Sequence, residues 1–300
     1  MTVSLYAVIG LVAYLIAGPF VGCLLAGVDR RITARMQGRF GPPILQPFYD
    51  VRKLMEKEPV TVNSGQDFYI LCFFIFVIIT GGMFFFGCNL LLVIFALTTA
   101  NLFLVVGAYS SNSPYSQIGA ERELLQMMAY EPMVLLTAVG LYMTTGSFNI
   151  GDIVSGVGLA GGAIPLKYLI GIFAGYLFIL TIKFRKSPFD LSLSHHAHQE
   201  LVKGVTTEFS GRTLALIEVA HWYENVFLLG FIFLFFQNGT WYMALVGVAA
   251  ALACYFLEVF IDNAFARMKW QFTLKASWLV TITFGAANLI LLYYIKILII

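Results

Sequence analysis

Between Lys183 and Asn225 an otherwise apolar chain fills with ionisable groups. Lys183, Arg185, Lys186, Asp190, His195, His196, His198, Glu200, Lys203, Glu208 and Arg212 come first, and Glu218, His221 and Glu224 follow inside the next apolar run. Such groups are costly in a lipid-soluble helix and mark ion or proton pathways by default. Glu218, His221 and Glu224 advance by three, which fans them over about 120° of one helix side. Glu131 lies eight residues past Glu123, about 12 Å further along a helix. Pro132 beside it frees the Met128 carbonyl for a proton-carrying water. Glu258 and Asp262, four apart, form a second acidic strip. The chemistry these types offer is proton or cation transfer from one aqueous side to mid-membrane. The alternative is a set of ion pairs and hydrogen bonds that lock helices together.

Metal chemistry is less favoured. His195 and His198 would meet at i, i+3 on a helix, but no cysteine or further spaced histidine lies near them in sequence. They are expected to touch a partner or to titrate beside a proton entrance. Cys23, Cys72, Cys88 and Cys254 sit in or beside different apolar runs, with no CxxC spacing. No iron–sulfur cluster or zinc is expected on this chain.

The elements that must position these groups are membrane helices. Sixty per cent of the 300 residues are hydrophobic and 11% are charged, against about 25% charged in soluble domains; mean hydropathy is +0.85. Eight apolar segments approach the roughly 20 residues that cross a bilayer as a helix: Val3–Val28, Phe68–Phe86, Cys88–Tyr109, Leu124–Thr145, Pro165–Ile182, Leu214–Phe236, Trp241–Ile261 and Ala276–Leu298. The expected fold is one all-α integral membrane domain over 1–300, with eight transmembrane helices and connecting loops at 29–67, 110–123, 183–213 and 262–275. Gly81, Gly82, Gly87 and Asn89 are expected to supply a tight hairpin between the second and third spans. The first span has no Lys or Arg before it and is too long for a signal-peptide core, so it is expected to remain as a helix.

Orientation follows from charge. With the amino terminus outside, 16 of the 18 Lys and Arg fall in inside loops, and only Lys167 and Lys296 do not. By the positive-inside rule both termini are expected outside and the long loops in the cytoplasm. In the first loop Ile44, Phe48, Val51 and Met55 repeat at spacings of four, three and four, opposite Asp50, Lys53, Glu56 and Lys57. That pattern predicts an amphipathic helix on the cytoplasmic surface. Arg31, Arg35, Arg39, Lys53, Arg122 and Arg212 are candidates for docking a soluble subunit. Nucleic acid is not an expected partner.

Three loops carry a family resemblance. Arg31, Arg35, Gln37, Arg39, Gly41 and Pro42, followed by Leu45-Gln46, Asp50, Lys53, Lys57 and Glu58, resemble the first cytoplasmic loop of the complex I subunit that forms the quinone chamber, the NuoH family. The GAERELLQMMAYE stretch ending at Glu131 is similar to that family's GAxRxxxQxxxYE element. Pro188-Phe189-Asp190-Leu191, Glu200-Leu201-Val202, Gly204 and Glu208-Phe209-Ser210-Gly211 resemble its PFDL…ELVxG…EYSG signature. Together these cover roughly a third of the chain. Departures are informative. Complex I usually has a glutamate where Lys183 stands, and AEY where Ala220-His221-Trp222 stand. The longer SLSHHAHQ insert resembles the equivalent subunit of energy-converting, group 4 [NiFe]-hydrogenases.

That resemblance implies a non-redox membrane subunit of a multisubunit ion-pumping oxidoreductase. It would couple ferredoxin oxidation and H2 evolution to H+ or Na+ translocation, with no cofactor of its own. [NiFe] and [4Fe–4S] centres are implied on partners: a hydrogenase large subunit, a small [4Fe–4S] subunit and a ferredoxin-like subunit, alongside antiporter-like membrane subunits. Asp190, Glu200, Glu208, His195 and His198 would form the coupling loop. Glu131, Glu218, His221, Glu224, Glu258 and Asp262 would line the ion path. The alternative is the quinone-site subunit of complex I. A stand-alone transporter is disfavoured, because no internal repeat relates the two halves.

Overall fold

A backbone in hydrocarbon must satisfy its polar groups internally, which leaves helices as the means for single apolar runs to cross. The computed structural model describes residues 5–58, 60, 63–156, 164–189, 192 and 203–299. Its helices are α1 (Leu5–Met36), α2 (Gln46–Glu56), α3 (Ser64–Phe86), α4 (Leu90–Tyr109), α5 (Pro114–Thr145), α6 (Ile150–Ser155), α7 (Ile170–Lys183), α8 (Gly211–Leu234), α9 (Trp241–Ala264), α10 (Trp270–Val280) and α11 (Ala287–Ile299). A π-helical turn, Thr281–Ala286, joins α10 to α11. Among the described residues the only β pairing is a single bridge between Asn89 and Asn149.

Seven helices are long and apolar enough to cross a membrane: α1, α3, α4, α5, α8, α9 and the continuous Trp270–Ile295 rod. The fifth expected span is shorter than its apolar run. Pro165–Lys167 forms a separate 3₁₀ turn, so α7 has only 14 residues. Leu166 N instead donates to Phe235 O at the end of α8.

Helix ends follow local chemistry. The α3–α4 hairpin turns on Gly87 at φ 89°, and Asn89 Oδ1 caps α4 by accepting from Leu91 N. Gly87 suits that left-handed position because it has no Cβ. Gly81 and Gly82, expected in this turn, lie inside α3 instead. Two further boundaries shift. α1 continues through Asp29–Met36, and α5 begins at Pro114 rather than at Leu124. At about 1.5 Å per residue each of these 32-residue helices is about 48 Å long, which exceeds the roughly 30 Å hydrocarbon core. Much of what the sequence offers as loop 29–67 and loop 110–123 is therefore helix.

α8 sits centrally and packs on α1, α2, α3 and α9, while α5 packs on α4, α7 and α10. Aromatic rings fill the middle of the bundle. Tyr176 stacks on Phe231 at 5.0 Å between centroids, and Phe84 meets Phe227 edge to face at 5.1 Å. Pairs of this kind contribute about 0.5–1.5 kcal/mol beyond their buried area. α2 is tied to α1 by Arg30 Nη1 donating to Asp50 Oδ2 at 2.6 Å. Partial burial raises the Asp50 pKa, but hydrogen bonds from Arg30 and Gln46 outweigh it and hold the carboxyl below its usual range.

Candidate functional site

The turn that ends α7 places four polar residues, Lys183, Arg185, Lys186 and Ser187, at the junction of α1, α5, α8 and α9. None of the four is more than 9% exposed. Arg185, at φ 52°, reaches toward α5 and α8. Its Nη2 donates to Glu123 Oε1 at 3.0 Å. Its Nη1 lies 3.6 Å from Glu224 Oε2 and 2.7 Å from His221 Nε2. A guanidinium only donates, so His221 Nε2 accepts and the ring proton sits on Nδ1. Burial opposes the Arg185 charge, but the Glu123 and Glu224 carboxylates outweigh it and raise its pKa above the ordinary value.

Lys183 is the last residue of α7. Its Nζ is 4.0 Å from the centre of the Tyr130 ring, a cation–π distance. Tyr130 Oη accepts from Asn101 Nδ2 at 3.1 Å. Tyr130, Glu131 and Lys183 border a cavity of about 20 Å³ whose surface is almost wholly apolar, with Leu97 and Phe231 among its lining. That is room for about one water. Among the described residues Glu131 Oε1 is buried without a hydrogen-bond partner, as is Asn101 Oδ1. Three carboxylates, Glu123, Glu131 and Glu224, share this region with two cations, Lys183 and Arg185.

Lys186 turns the other way. Its Nζ donates to Asp29 Oδ2 on α1 at 2.8 Å and lies 5.2 Å from the centre of the Tyr255 ring on α9. Asp262 Oδ1 accepts from Ser187 N at 2.8 Å. Beyond the turn, Phe189 O accepts from Gln126 Nε2 at 2.5 Å. The segment 183–189 is thus fastened to two sets of buried groups at once.

The structure divides the expected ion path. His221 and Glu224 meet at Arg185, with Glu131 on the adjoining cavity. Glu218 is half-buried on α8 and makes no ion pair among the described residues, so the three-residue fan contributes two members rather than three. Glu258 and Asp262 belong to the Lys186 side. Asp190, His195, His198 and Glu200 lie outside the described residues; Glu208 is half-buried. Of the expected docking residues, Arg31, Arg35, Arg39, Lys53 and Arg212 are exposed and Arg122 is half-buried. Arg35 stands over the Phe40 ring at 5.2 Å, and Arg39 hydrogen-bonds Gln37. Sequence reasoning missed the cationic half of the site. Lys183, Arg185 and Lys186 count there as charges marking one membrane side, and Asp29 and Glu123 as loop acids. One available signal was Lys183 itself, a cation directly abutting an apolar run.

Fold and site together define a polytopic membrane protein whose helices enclose a buried ionic cluster beside polar loops. The chain matches the family model described as NADH dehydrogenase over residues 9–293, and it belongs to that family. It is 28% identical to hydrogenase-4 component C of Escherichia coli, covering 85% of this chain and 87% of that one. It is also 28% identical to a component of the NADH-quinone oxidoreductase of Bacillus cytotoxicus, covering 97% and 91%. A chain in the structure of the membrane-bound sulfane sulfur reductase, an archaeal respiratory membrane complex, superposes with a TM-score of 0.83 at 25% identity, over 95% of this chain and 99% of that one. These relatives are parts of oxidoreductase assemblies in membranes, and this chain is a membrane subunit of the same kind.

Proposed function

We propose that the chain is the non-redox coupling subunit of an energy-converting [NiFe]-hydrogenase, linking ferredoxin oxidation and H2 evolution to proton movement. The observation that carries the coupling role is the 183–189 segment. It holds the buried Glu123–Arg185–Glu224 set and leads directly into the loop that carries Asp190, Glu200 and Glu208. A displacement of that loop by a soluble partner would move Arg185, and a moved guanidinium changes the field at the carboxyls around it. Glu131 and Lys183, bordering one small cavity, are the next stage of the path. Sodium is the other ion to test.

In this reading α7 is an eighth crossing, completed by the 3₁₀ turn before it. α2 lies along the cytoplasmic surface, and both termini face outside. The exposed Arg31, Arg35, Arg39, Lys53 and Arg212, with the half-buried Arg122, seat the soluble arm. That arm would comprise large, small [4Fe–4S] and ferredoxin-like subunits that carry every redox centre, with antiporter-like subunits alongside in the bilayer. The relative named hydrogenase-4 component C and the presence of Lys183 and His221 at positions where complex I usually has glutamates support the hydrogenase. The second reading, a quinone-site subunit of complex I, is favoured by the 97% coverage in the match to the Bacillus relative.

The test is to purify the intact complex through a tag on this chain and assay it with reduced ferredoxin. H2 evolution that needs no quinone is the expected result. Quinone reduction without H2 evolution would establish the second reading.

A further inference from the structure

On the Lys186 side of the turn one acid is unaccounted for. Glu258 is 1% exposed on α9, and neither of its carboxylate oxygens has a hydrogen-bond partner among the described residues. Lys186 and Asp262 are the charges that act on it, Cys254 lies one turn earlier on α9, and Tyr255 is acted on by both Asp29 and Asp262. Lys186, however, is spent elsewhere, 2.8 Å from Asp29. Asp262 accepts from Ser187 N, and Tyr255 donates its hydroxyl to Leu25 O at 3.2 Å. A buried ionised carboxylate without partners is strongly disfavoured. A bare cation would need a shell of oxygen ligands, and no set of three or more metal-ligating side chains converges among the described residues. The occupant that fits Glu258 is a proton.

We propose that Glu258 is a proton-loading site distinct from the Glu123–Arg185–Glu224 cluster, and that Lys186 is the switch that empties it by exchanging Asp29 for Glu258. In the loaded state Lys186 is paired with ionised Asp29, and Glu258 is a neutral acid. In the released state the Lys186 ammonium lies against ionised Glu258. One proton leaves Glu258, to Asp29 or to water beside it, and no electron moves. Asp29 is the exit because its side chain is 23% exposed, against 1% for Glu258. The switch is geared to the central cluster by the backbone, since Arg185 and Lys186 are adjacent residues that reach opposite sites. One movement of the 183–189 segment therefore changes both.

This inference rests on the chain being a coupling subunit, and its test is separable from that reading. The measurement is the redox-induced infrared difference spectrum of the intact complex. A carboxylic C=O signal that changes on turnover is expected in the wild type, and one component of it, a band separate from any the central cluster gives, is expected to be lost in Glu258→Gln. Lys186→Met should keep Glu258 protonated, so the band no longer changes; Lys186→Arg, which retains the charge, should restore it. If Lys186→Met fails to assemble because Asp29 is left unpaired, the Asp29→Asn/Lys186→Met double variant removes both charges and should show the same locked acid. A turnover-dependent C=O signal that is identical to the wild type's in Glu258→Gln, or a Glu258 component that still changes when Lys186 is Met, overturns the proposal. Normal pumping in Glu131→Gln would instead count against the central cluster and leave this band as its own test.

Discussion

Arg185 is the residue on which the buried charges depend. It pairs with both Glu123 and Glu224, so removing it leaves two carboxylates in a low dielectric. Breaking a buried pair on one side costs about 3–5 kcal/mol. Arg185→Met is expected to lower the thermal midpoint of the purified complex and its yield sharply. Adding Glu123→Met and Glu224→Met should recover much of that loss, because an apolar replacement of a whole charged set is often neutral, while coupling stays lost. Full stability in Arg185→Met alone would mean that the pairs carry no structural weight. The residue scale is also where the sequence was least legible. Glu224 and His221 stood out because ionisable groups inside an apolar run are rare. Arg185 and Lys186 did not, because a cation in a loop is ordinarily a solvated one. Only the turn after α7, which folds both side chains inward, reverses that reading.

At the scale of elements, the segment around Gly204, further along the loop from the ion-bearing turn, is held to α5 by close backbone approach. A Cβ on Gly119 of α5 would sit within 3.0 Å of the Gly204–Val205 backbone. Val205 N in turn donates to Ser192 O at 3.0 Å. Gly119→Val should therefore displace the segment from Lys203 onward while leaving α5 helical. The expected outcome is an assembled membrane part that loses its soluble partners on purification. Unchanged co-purification would show that the loop position does not matter for docking. The helices themselves were readable, since seven of the apolar runs became long apolar helices close to their expected places. Their ends were not, because hydropathy registers where lipid stops and not where the backbone hydrogen bonds stop. Hence α1 runs past Val28 to Met36, and α5 starts at Pro114, well before Leu124. α7 errs in the other direction because Pro165 opens a separate turn.

At the scale of the molecule, charge is concentrated at the end where α1 and α9 finish and α5 and α8 begin. Exposed charges contribute little to stability but steer association. Reversing Arg35 and Arg39 together is expected to release the soluble arm at moderate salt with the membrane part intact. A complex of normal salt resistance would reduce this face to a topology determinant. Cysteines introduced into 46–58 should label from the cytoplasmic side only. The family was legible from three loop motifs, and the two-sided fastening of the segment that joins them was not.

The central claim is that the acids at this turn carry protons rather than tie helices. The most direct measurement is ion pumping by the reconstituted complex in sealed vesicles with Glu131→Gln. That change keeps shape and hydrogen-bonding capacity and removes the titratable group. The complex should assemble normally, turn over more slowly in sealed vesicles than in leaky ones, and move fewer protons per electron pair than the wild type. Wild-type pumping stoichiometry in Glu131→Gln would contradict the account and leave this chain as a scaffold beside the true pump.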